Sequence, residues 1–280
     1  MAFLNLFIGV VSYSRTQFAI SQGPQGLGAQ LARELTNHFG IDTQIHIISE
    51  DLDKSGVVAD RRAVQRSLTS ELHAEARYSK YISRPKYIKD VMRMGARWAM
   101  RLKNSFNSPR PQLVSRLLNI EAAHCDLMKR GLESGSDYVL ILEDDAFSDQ
   151  LADLANGISG LMNASSTPAF VNLSESFSVD ELGVGHLLTS KTDISWQGDD
   201  TRVVYLASRP ITNTVCAILY SREFLASVVQ EMEALPMEPV LSIDWKLNVA
   251  LMNLYETRKL DGLECWWVEP APIKQMSMRT

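Results

Sequence analysis

The stretch Asp137-Tyr-Val-Leu-Ile-Leu-Glu-Asp-Asp-Ala-Phe147 joins an apolar run to three consecutive carboxylates. A short, continuous apolar run of this kind is typical of a strand that is buried on both faces of a parallel sheet. Ligands of open α/β proteins bind at the carboxyl edge of such strands, so Glu143, Asp144 and Asp145 are predicted to lie in a ligand site. Carboxylate oxygens suit a hard divalent cation, whereas a solvated acidic loop or a helix N-cap is the alternative interpretation.

The residues that precede this stretch predict a βαβ unit. Residues 3–11 and 43–48 are rich in apolar and β-branched side chains, and residues 29–39 between them have the apolar spacing of a helix that stops at Gly40. A strand, a helix and a strand with short connections favour a parallel sheet that is covered by helices. We therefore expect an α/β fold with a central, mostly parallel sheet flanked by helices.

Both element types continue along the chain. Helical spacing is found at 61–76, 113–131, 221–235 and 241–255, and strand-like apolar runs are found at 168–173, 203–206, 214–220 and 264–268. The sequence contains neither an internal repeat nor a Gly/Ser-rich linker. One domain over residues 1–280 is therefore predicted.

The composition is that of an ordinary folded protein, with 280 residues, of which 45% are hydrophobic and 22% charged. Its three cysteines lack the spacing of a zinc site or an iron–sulfur cluster, and their odd number argues against a disulfide scaffold. The amino-terminal residues lack the basic region of a secretory signal, and no window reaches the roughly 18 apolar residues that cross a bilayer. We therefore expect a cytoplasmic protein, either soluble or peripheral at the inner face of a membrane.

Positive charge is concentrated in one segment. Residues 77–116 contain 11 Lys or Arg and one acid, giving a net charge of +10, whereas the remainder of the chain carries −15. A helix is predicted at 86–104, where basic residues recur every four positions: Lys89, Arg93, Arg97 and Arg101. Such a stripe suits a solvated face or docking on an anionic membrane, and docking is the preferred interpretation. No nucleic-acid-binding motif accompanies the charge, so nucleic acid is not an expected partner.

Several segments are informative as an ordered set: Leu117-Leu-Asn-Ile-Glu-Ala-Ala-His124, Leu140-Ile-Leu-Glu-Asp-Asp-Ala-Phe147, Asn213-Thr-Val-Cys-Ala-Ile-Leu-Tyr-Ser221, Ser242-Ile-Asp-Trp-Lys-Leu-Asn248 and Pro272-Ile-Lys-Gln-Met-Ser277. Together they resemble the family 25 glycosyltransferases of bacterial surface-saccharide synthesis, which have a GT-A fold. The basic segment at about 77–112 has no counterpart in that family and is interpreted as a helical insertion. The resemblance implies transfer of a sugar from a nucleotide sugar, with a UDP-sugar favoured, to a saccharide or lipid-linked acceptor, using Mn²⁺ or Mg²⁺.

The resemblance also implies roles for individual residues. Asp145 would be a direct metal ligand together with Glu143, and Glu143 or Asp144 would contact the ribose or complete the metal shell through water. Further nucleotide-binding residues are expected just after the first two strands and in the carboxyl-terminal tail, which would close over the diphosphate: Ser12, Arg15, Glu50, Asp51, Lys274, Gln275 and Ser277.

Asp244 is the expected catalytic base. In an inverting transfer it would accept the proton of the acceptor hydroxyl, and the alternative is a first-turn aspartate in a helix that Ser242 caps. His124 has helical spacing with apolar neighbours and is predicted to be a core histidine. Three tryptophans offer sugar-stacking faces, although core packing is expected for at least two of them: Trp245, Trp266 and Trp267.

Two other functions remain open at this point. A sugar nucleotidyltransferase also needs acidic metal ligands at strand ends, although Gly23-Pro-Gln-Gly26-Leu-Gly28 lacks the basic residue usual in its signature loop. A non-catalytic membrane-docking scaffold would use the acidic triplet only for structure. Metal-dependent hydrolysis of a nucleotide sugar would favour the glycosyltransferase and exclude the scaffold.

Overall fold

Strand β1 (Asn5–Ser12) begins the amino-terminal βαβ unit in the computed structural model of the chain. Helix α1 (Leu27–Phe39) ends at Gly40, whose φ of 64° is the left-handed conformation that glycine adopts without strain. Strand β2 (Asp42–Ser49) then pairs in parallel with β1. The predicted strand, helix and strand are confirmed, because each boundary lies within two residues of its expected position.

The structure describes residues 4–12, 26–49, 61–82, 92, 95–96, 99–100, 111–175, 179–191, 196, 201–212, 214–235, 241–259 and 262–276. The other helices are α2 (Arg61–Ile82), α3 (Pro111–Glu133), α4 (Leu151–Met162), α5 (Val179–Leu182), α6 (Arg222–Ala234) and α7 (Ile243–Glu256). The other strands are β3 (Tyr138–Glu143), β4 (Ala146–Phe147), β5 (Pro168–Asn172), β6 (Ser174–Glu175), β7 (Leu188–Ser190), β8 (Val203–Ala207), β9 (Ala217–Ser221), β10 (Glu264–Glu269) and β11 (Ile273–Gln275).

Within these ranges, eight strands form one sheet in the order β2-β1-β3-β9-β5-β10-β8-β7. The pairs β2–β1, β1–β3 and β5–β10 are parallel, and the other four pairs are antiparallel. The expected α/β fold with a central sheet between helices is confirmed. The sheet is mixed because β9 runs against its neighbours β3 and β5, and β8 runs against its neighbours β10 and β7. A second, three-stranded sheet has the order β4-β11-β6.

Helices cover both faces of the large sheet. Alternate residues of β1 point to opposite faces, so Leu6, Ile8 and Val10 pack with residues of α1 and α4. Phe7 and Val11 pack on the other face with residues of α3, α6 and α7. The two layers bury β1 and β3 on both sides, which is why both strands read as continuous apolar runs.

Helix α3 lies unusually close to the sheet. A Cβ atom on Gly131 would be only 2.7 Å from Cγ1 of Val139, so the close approach of α3 to β3 depends on the missing side chain. The helix is slightly longer than the predicted 113–131. Because α3 precedes β3 and returns along it, the middle of α3 lies beside the carboxyl end of β3.

Two predicted boundaries are wrong. The polar helix expected at 61–76 continues to Ile82, because Tyr78, Tyr81 and Ile82 pack in an apolar cluster with α7 and β10. The strand expected from residue 214 begins at Ala217. The residues before it form a loop held by local hydrogen bonds, such as that from the Cys216 amide to Thr214 Oγ1 at 3.2 Å.

The expected insertion at 77–112 begins inside α2 and ends inside α3. The four stripe residues lie outside the described residues: Lys89, Arg93, Arg97 and Arg101. Between α2 and α3 the described residues include the exposed side chains of Met92 and Met100. No helix in the described ranges combines the length and the apolar character that crossing a bilayer requires.

Candidate functional site at the carboxyl edge of the sheet

The order of the strands reverses at β1. The chain passes from β1 to β2 on one side and then returns to β3 on the other, so β1 and β3 flank a topological switch point. Val11 of β1 is in register with Glu143 of β3, so both strands end at the same level. Ligands of open α/β sheets bind outside the carboxyl ends of strands at such a point.

Three buried carboxylates lie at this point, and we call Glu143, Asp144 and Asp145 the acidic turn. Their exposed fractions are 7%, 1% and 5%, so the alternative of a solvated acidic loop is wrong. The backbone amide of Glu143 donates to the carbonyl of Cys216 at 2.9 Å, and that of Met276 donates to the carbonyl of Asp145 at 3.0 Å. The acidic turn is thus held from both sides by segments distant in the sequence.

The carboxyl-terminal tail reaches the acidic turn through β11. Gln275 is in register with Ala146 of β4, and its Nε2 atom donates to Glu143 Oε2 at 3.1 Å. Lys274 instead points to Asp149, with Nζ 2.9 Å from the carboxylate. The structure therefore brings Gln275 to the site and directs the Lys274 ammonium to a neighbouring surface carboxylate.

The acidic turn has donor atoms for a cation. A carboxylate oxygen from each of Glu143 and Asp145 and the Cys216 sulfur lie within 4.8 Å of one another. Burial, reinforced by the nearby carboxylates, raises the pKa of the Cys216 thiol well above its ordinary value, which keeps the sulfur protonated and unsuited to a hard ion. The two carboxylates, with water in the remaining positions, fit Mg²⁺ or Mn²⁺.

Asp244 lies in the first turn of α7 beside the acidic turn. Its Oδ1 atom accepts a hydrogen bond from the backbone amide of Val215 at 3.1 Å. Burial raises the pKa of Asp244 to about 6, and repulsion from Glu143 adds to this, while His124 and backbone hydrogen bonds oppose it. Ser242 is the N-cap residue, but its side chain makes no capping hydrogen bond.

His124 is a core residue, as predicted, and it also lies beside the acidic turn. The side chain is fully buried, and Nε2 lies 3.8 Å from Glu143 Oε1. Neither ring nitrogen has a hydrogen-bond partner among the described residues. A buried imidazole without a hydrogen-bond partner that lies beside a carboxylate of the acidic turn borders the site as well as packing in the core.

Other buried polar residues near the site were not identified from the sequence. Asn172 ends β5 and is almost fully buried, and Cys216 immediately precedes β9. The buried Lys246 of α7 forms an ion pair with the equally buried Glu121 of α3, which ties the helix of Asp244 to the helix of His124. The sequence indicates that Asn172 lies at a strand end. It does not indicate the strand order that brings this end to the acidic turn.

The structure places the remaining expected site residues in different environments. Ser12 is buried at the carboxyl end of β1, next to the switch point. Trp266 and Trp267 are core residues, as expected for at least two of the tryptophans, and Trp245 meets the ring of Tyr78 edge to face. Four expected site residues lie outside the described residues: Arg15, Glu50, Asp51 and Ser277.

The chain matches no model of a protein family, and no curated protein matches it significantly. The function has to be inferred from the geometry and chemistry of the site.

Proposed function

We propose that this protein is a metal-dependent glycosyltransferase of the GT-A type, which moves a sugar from a nucleotide sugar to an acceptor hydroxyl. The observation that carries the proposal is the burial of three adjacent carboxylates at the carboxyl end of β3, at the switch point of the sheet. Buried carboxylates are unfavourable unless a cation or hydrogen bonds compensate them. A divalent cation bound by two of these carboxylates would add to the hydrogen bonds that they receive, such as that from Gln275 to Glu143.

Glu143 and Asp145 are the proposed metal ligands. A bound Mn²⁺ or Mg²⁺ would neutralise the charge that develops on the departing nucleoside diphosphate. Gln275 donates to one oxygen of Glu143 and so orients the other oxygen toward the cation. His124 Nε2 lies 3.8 Å from Glu143 Oε1, so the imidazole packs beside the oxygen that would face the cation.

Asp244 is the proposed base. A carboxyl group whose pKa is about 6 is mostly ionised at neutral pH, yet it is a better proton acceptor than an ordinary aspartate. The Val215 amide fixes one carboxylate oxygen, which leaves the other to accept the proton of the acceptor hydroxyl.

The nucleotide would lie along the carboxyl ends of β1 and β2. Of the nucleotide-binding residues expected there, Ser12 lies among the described ones, and Arg15, Glu50, Asp51 and Ser277 keep the roles that the family resemblance implies. A UDP-sugar is the favoured donor, and Asp144 would contact its ribose. The proposed setting is the cytoplasm, at the inner face of a membrane that carries the acceptor.

Thermal unfolding with nucleotide sugars tests the proposal. UDP-, GDP-, CMP- and dTDP-sugars are each added with and without Mn²⁺, because a ligand that binds only the folded state raises the melting temperature. One donor should stabilise the protein only when Mn²⁺ is present, and EDTA should abolish transfer.

Asp145→Asn is the decisive variant for the metal. It should remove the donor-dependent stabilisation and the activity without unfolding the protein, whereas the control Asp149→Asn, four residues away and exposed, should behave as wild type. Mn²⁺-dependent transfer by Asp145→Asn would disprove the metal assignment. Release of pyrophosphate from a nucleoside triphosphate and a sugar phosphate would support a nucleotidyltransferase instead.

We also propose that the basic segment docks the enzyme on an anionic leaflet. Met92 and Met100, in the same segment as the charges, are 71% and 62% exposed, and an exposed apolar side chain beside basic residues suits a membrane interface. Four basic residues at about 1 kcal/mol each correspond to roughly a thousandfold in partitioning.

Vesicle sedimentation tests the docking. Lys89, Arg93, Arg97 and Arg101 are replaced together by Gln, and binding to vesicles that contain phosphatidylserine is compared at low and high salt. Wild type should sediment with these vesicles at low salt only, and the variant should stay in solution with unchanged activity on a soluble acceptor. Equal sedimentation of the two proteins would show that the stripe is merely a solvated surface.

A further inference from the structure

A cavity of about 410 Å³ lies at the edge of the sheet opposite the acidic turn. It is bounded by the loop after β8, the end of α7 and the start of β10. Strand β10 runs parallel to β5 and therefore to β3, so its amino-terminal end is remote from the acidic turn. Its six residues span roughly 20 Å, which separates the two places by about that distance.

Arg209 is the central cation of this cavity. Its guanidinium lies over the rings of Tyr81 and Tyr255, with centroid distances of 5.1 and 4.9 Å. Among the described residues it makes one hydrogen bond, from Nη1 to the Tyr81 carbonyl at 2.6 Å. Nε is buried and has no partner, and no carboxylate pairs with Arg209 in the described ranges. The remaining Nη donors of Arg209 are suited to a planar anion in the cavity.

Arg258 is a second cation in the cavity wall. It follows the C-cap of α7 with a φ of 56°, a left-handed conformation in which glycine is the favourable residue. Arg258 therefore occupies a backbone position that ordinarily favours glycine. No ion pair joins Arg258 to another described residue.

The acid in the wall does not neutralise these two arginines. Glu256 lines the cavity, but its carboxylate is 2.6 Å from Arg77 of α2. Arg209 also has a structural role, because it binds a carbonyl in the last turn of α2. That role uses one donor and explains neither the cavity nor Arg258.

We propose that this cavity binds a small molecule that carries a carboxylate or phosphate group, recognised by Arg209 and Arg258. The cavity volume lies within the range of small-molecule sites, and its apolar residues Pro210 and Leu263 would contact the uncharged part of the ligand. The site is independent of the proposed glycosyltransferase activity, because it shares no residue with the acidic turn and requires no metal.

Calorimetric titration of the full chain, treated with EDTA and then dialysed into metal-free buffer, tests the site. The probes are glucuronate and glucose 1-phosphate as charged ligands, inorganic phosphate as the anion alone, and glucose as the uncharged match. Removal of metal leaves the acidic turn without a cation that would attract these anions, and removal of EDTA leaves no competing polycarboxylate. At least one charged sugar should bind, and glucose should not.

Arg258→Gly is the informative variant. Glycine relieves the left-handed backbone, so the melting temperature should be equal or higher, while affinity for the charged probe should fall by at least about tenfold. Arg209→Gln should also lose binding, and its stability is measured separately because it loses contacts with two tyrosines. The control Lys259→Gln removes the adjacent charge, which pairs with Glu231 outside the cavity, and should bind as wild type.

Several outcomes would overturn the proposal: no charged probe binds, glucose binds as well as the charged sugars, or Arg258→Gly binds as tightly as wild type. Stronger binding by glucose 1-phosphate than by glucuronate would identify phosphate as the recognised group, and the reverse would identify carboxylate. Binding of inorganic phosphate as tightly as glucose 1-phosphate would show that the anion alone supplies the affinity.

Discussion

Charged side chains differ in burial between the two ends of the parallel strands, which we call the carboxyl edge and the opposite edge of the large sheet. At the carboxyl edge the acidic turn is buried, and the Lys246 and Glu121 side chains nearby are 8% and 9% exposed. Near the opposite edge, Arg77 and Glu256 form an ion pair with side chains that are 34% and 54% exposed, and the cavity arginines have no acidic partner among the described residues. The first edge depends on compensation inside the protein, whereas the Arg77–Glu256 pair at the second is largely solvated.

This difference predicts how each edge responds to substitution. A buried charge that loses its partner keeps its desolvation penalty, so the stability loss is large. An exposed charge that loses its partner is solvated again, so little changes. Variants at the two edges should therefore differ in size of effect even when the same type of contact is removed.

Lys246→Met should have the largest effect. It leaves Glu121 buried and unpaired, so the free energy of unfolding should fall by about 3–5 kcal/mol. Urea denaturation followed by tryptophan fluorescence measures this fall. The double variant Glu121→Leu/Lys246→Met should recover most of the loss, because both charges are then absent. A single variant as stable as wild type would show that the pair is not truly desolvated.

Asp244→Asn tests the chemistry at the same edge. Transfer should slow by about 100-fold, the usual scale for loss of a general base, while the donor dissociation constant changes little. Single-turnover rates and donor titrations measure the two quantities separately. If donor affinity collapsed while the rate stayed near wild type, Asp244 would be a binding residue.

Titration of Asp244 should change the free energy of unfolding by less than the two substitutions above change stability or rate. Since its pKa in the folded state is raised to about 6 from 3.8, the folded protein holds this proton more tightly than the unfolded chain does. Its favourable contribution is complete below pH 4 and is lost as the pH rises through 6, by roughly 2 kcal/mol after allowance for partial exposure. In EDTA, the stability advantage of Asp244→Asn over wild type should therefore increase from pH 4 to pH 7. An unchanged difference would mean that Asp244 has an ordinary pKa.

The smallest effect is expected at the opposite edge. Arg77→Gln breaks the contact with Glu256, but both side chains are about a third or more exposed, so the free energy of unfolding should change by less than about 1 kcal/mol. Urea denaturation under the conditions used for Lys246→Met provides the comparison. A loss as large as that of Lys246→Met would remove the distinction between the two edges.

The sequence predicts the parts of the fold that depend on local pattern. Apolar runs and a helix stop at Gly40 locate β1, α1 and β2, and the same reasoning locates β3 and the acidic turn at its end. These predictions succeed because periodicity and capping act over a few residues. The direction of β9 could not be predicted, since an apolar run has the same composition whether its neighbours run parallel or antiparallel to it.

The sequence predicts only those residues of the site that follow directly from the end of a strand. Helical spacing places His124 in the core, but it does not say that the ring faces Glu143. The same holds for Cys216 and Asn172, whose approach to the acidic turn requires the order of strands β3, β9 and β5. Contacts between residues far apart in sequence are set by topology, which the local pattern does not specify.

Because strand β11 is synthesised late, the site is completed late during translation. Gln275 is 132 residues beyond Glu143, so at about 5–20 residues per second the ribosome adds it roughly 7–26 s later. During this interval the carboxylates have left the peptidyl-transferase centre without the strand that closes over them. A nascent chain, or a fragment released before β11, therefore lacks the completed acidic turn, and the site is among the last parts of the protein to form.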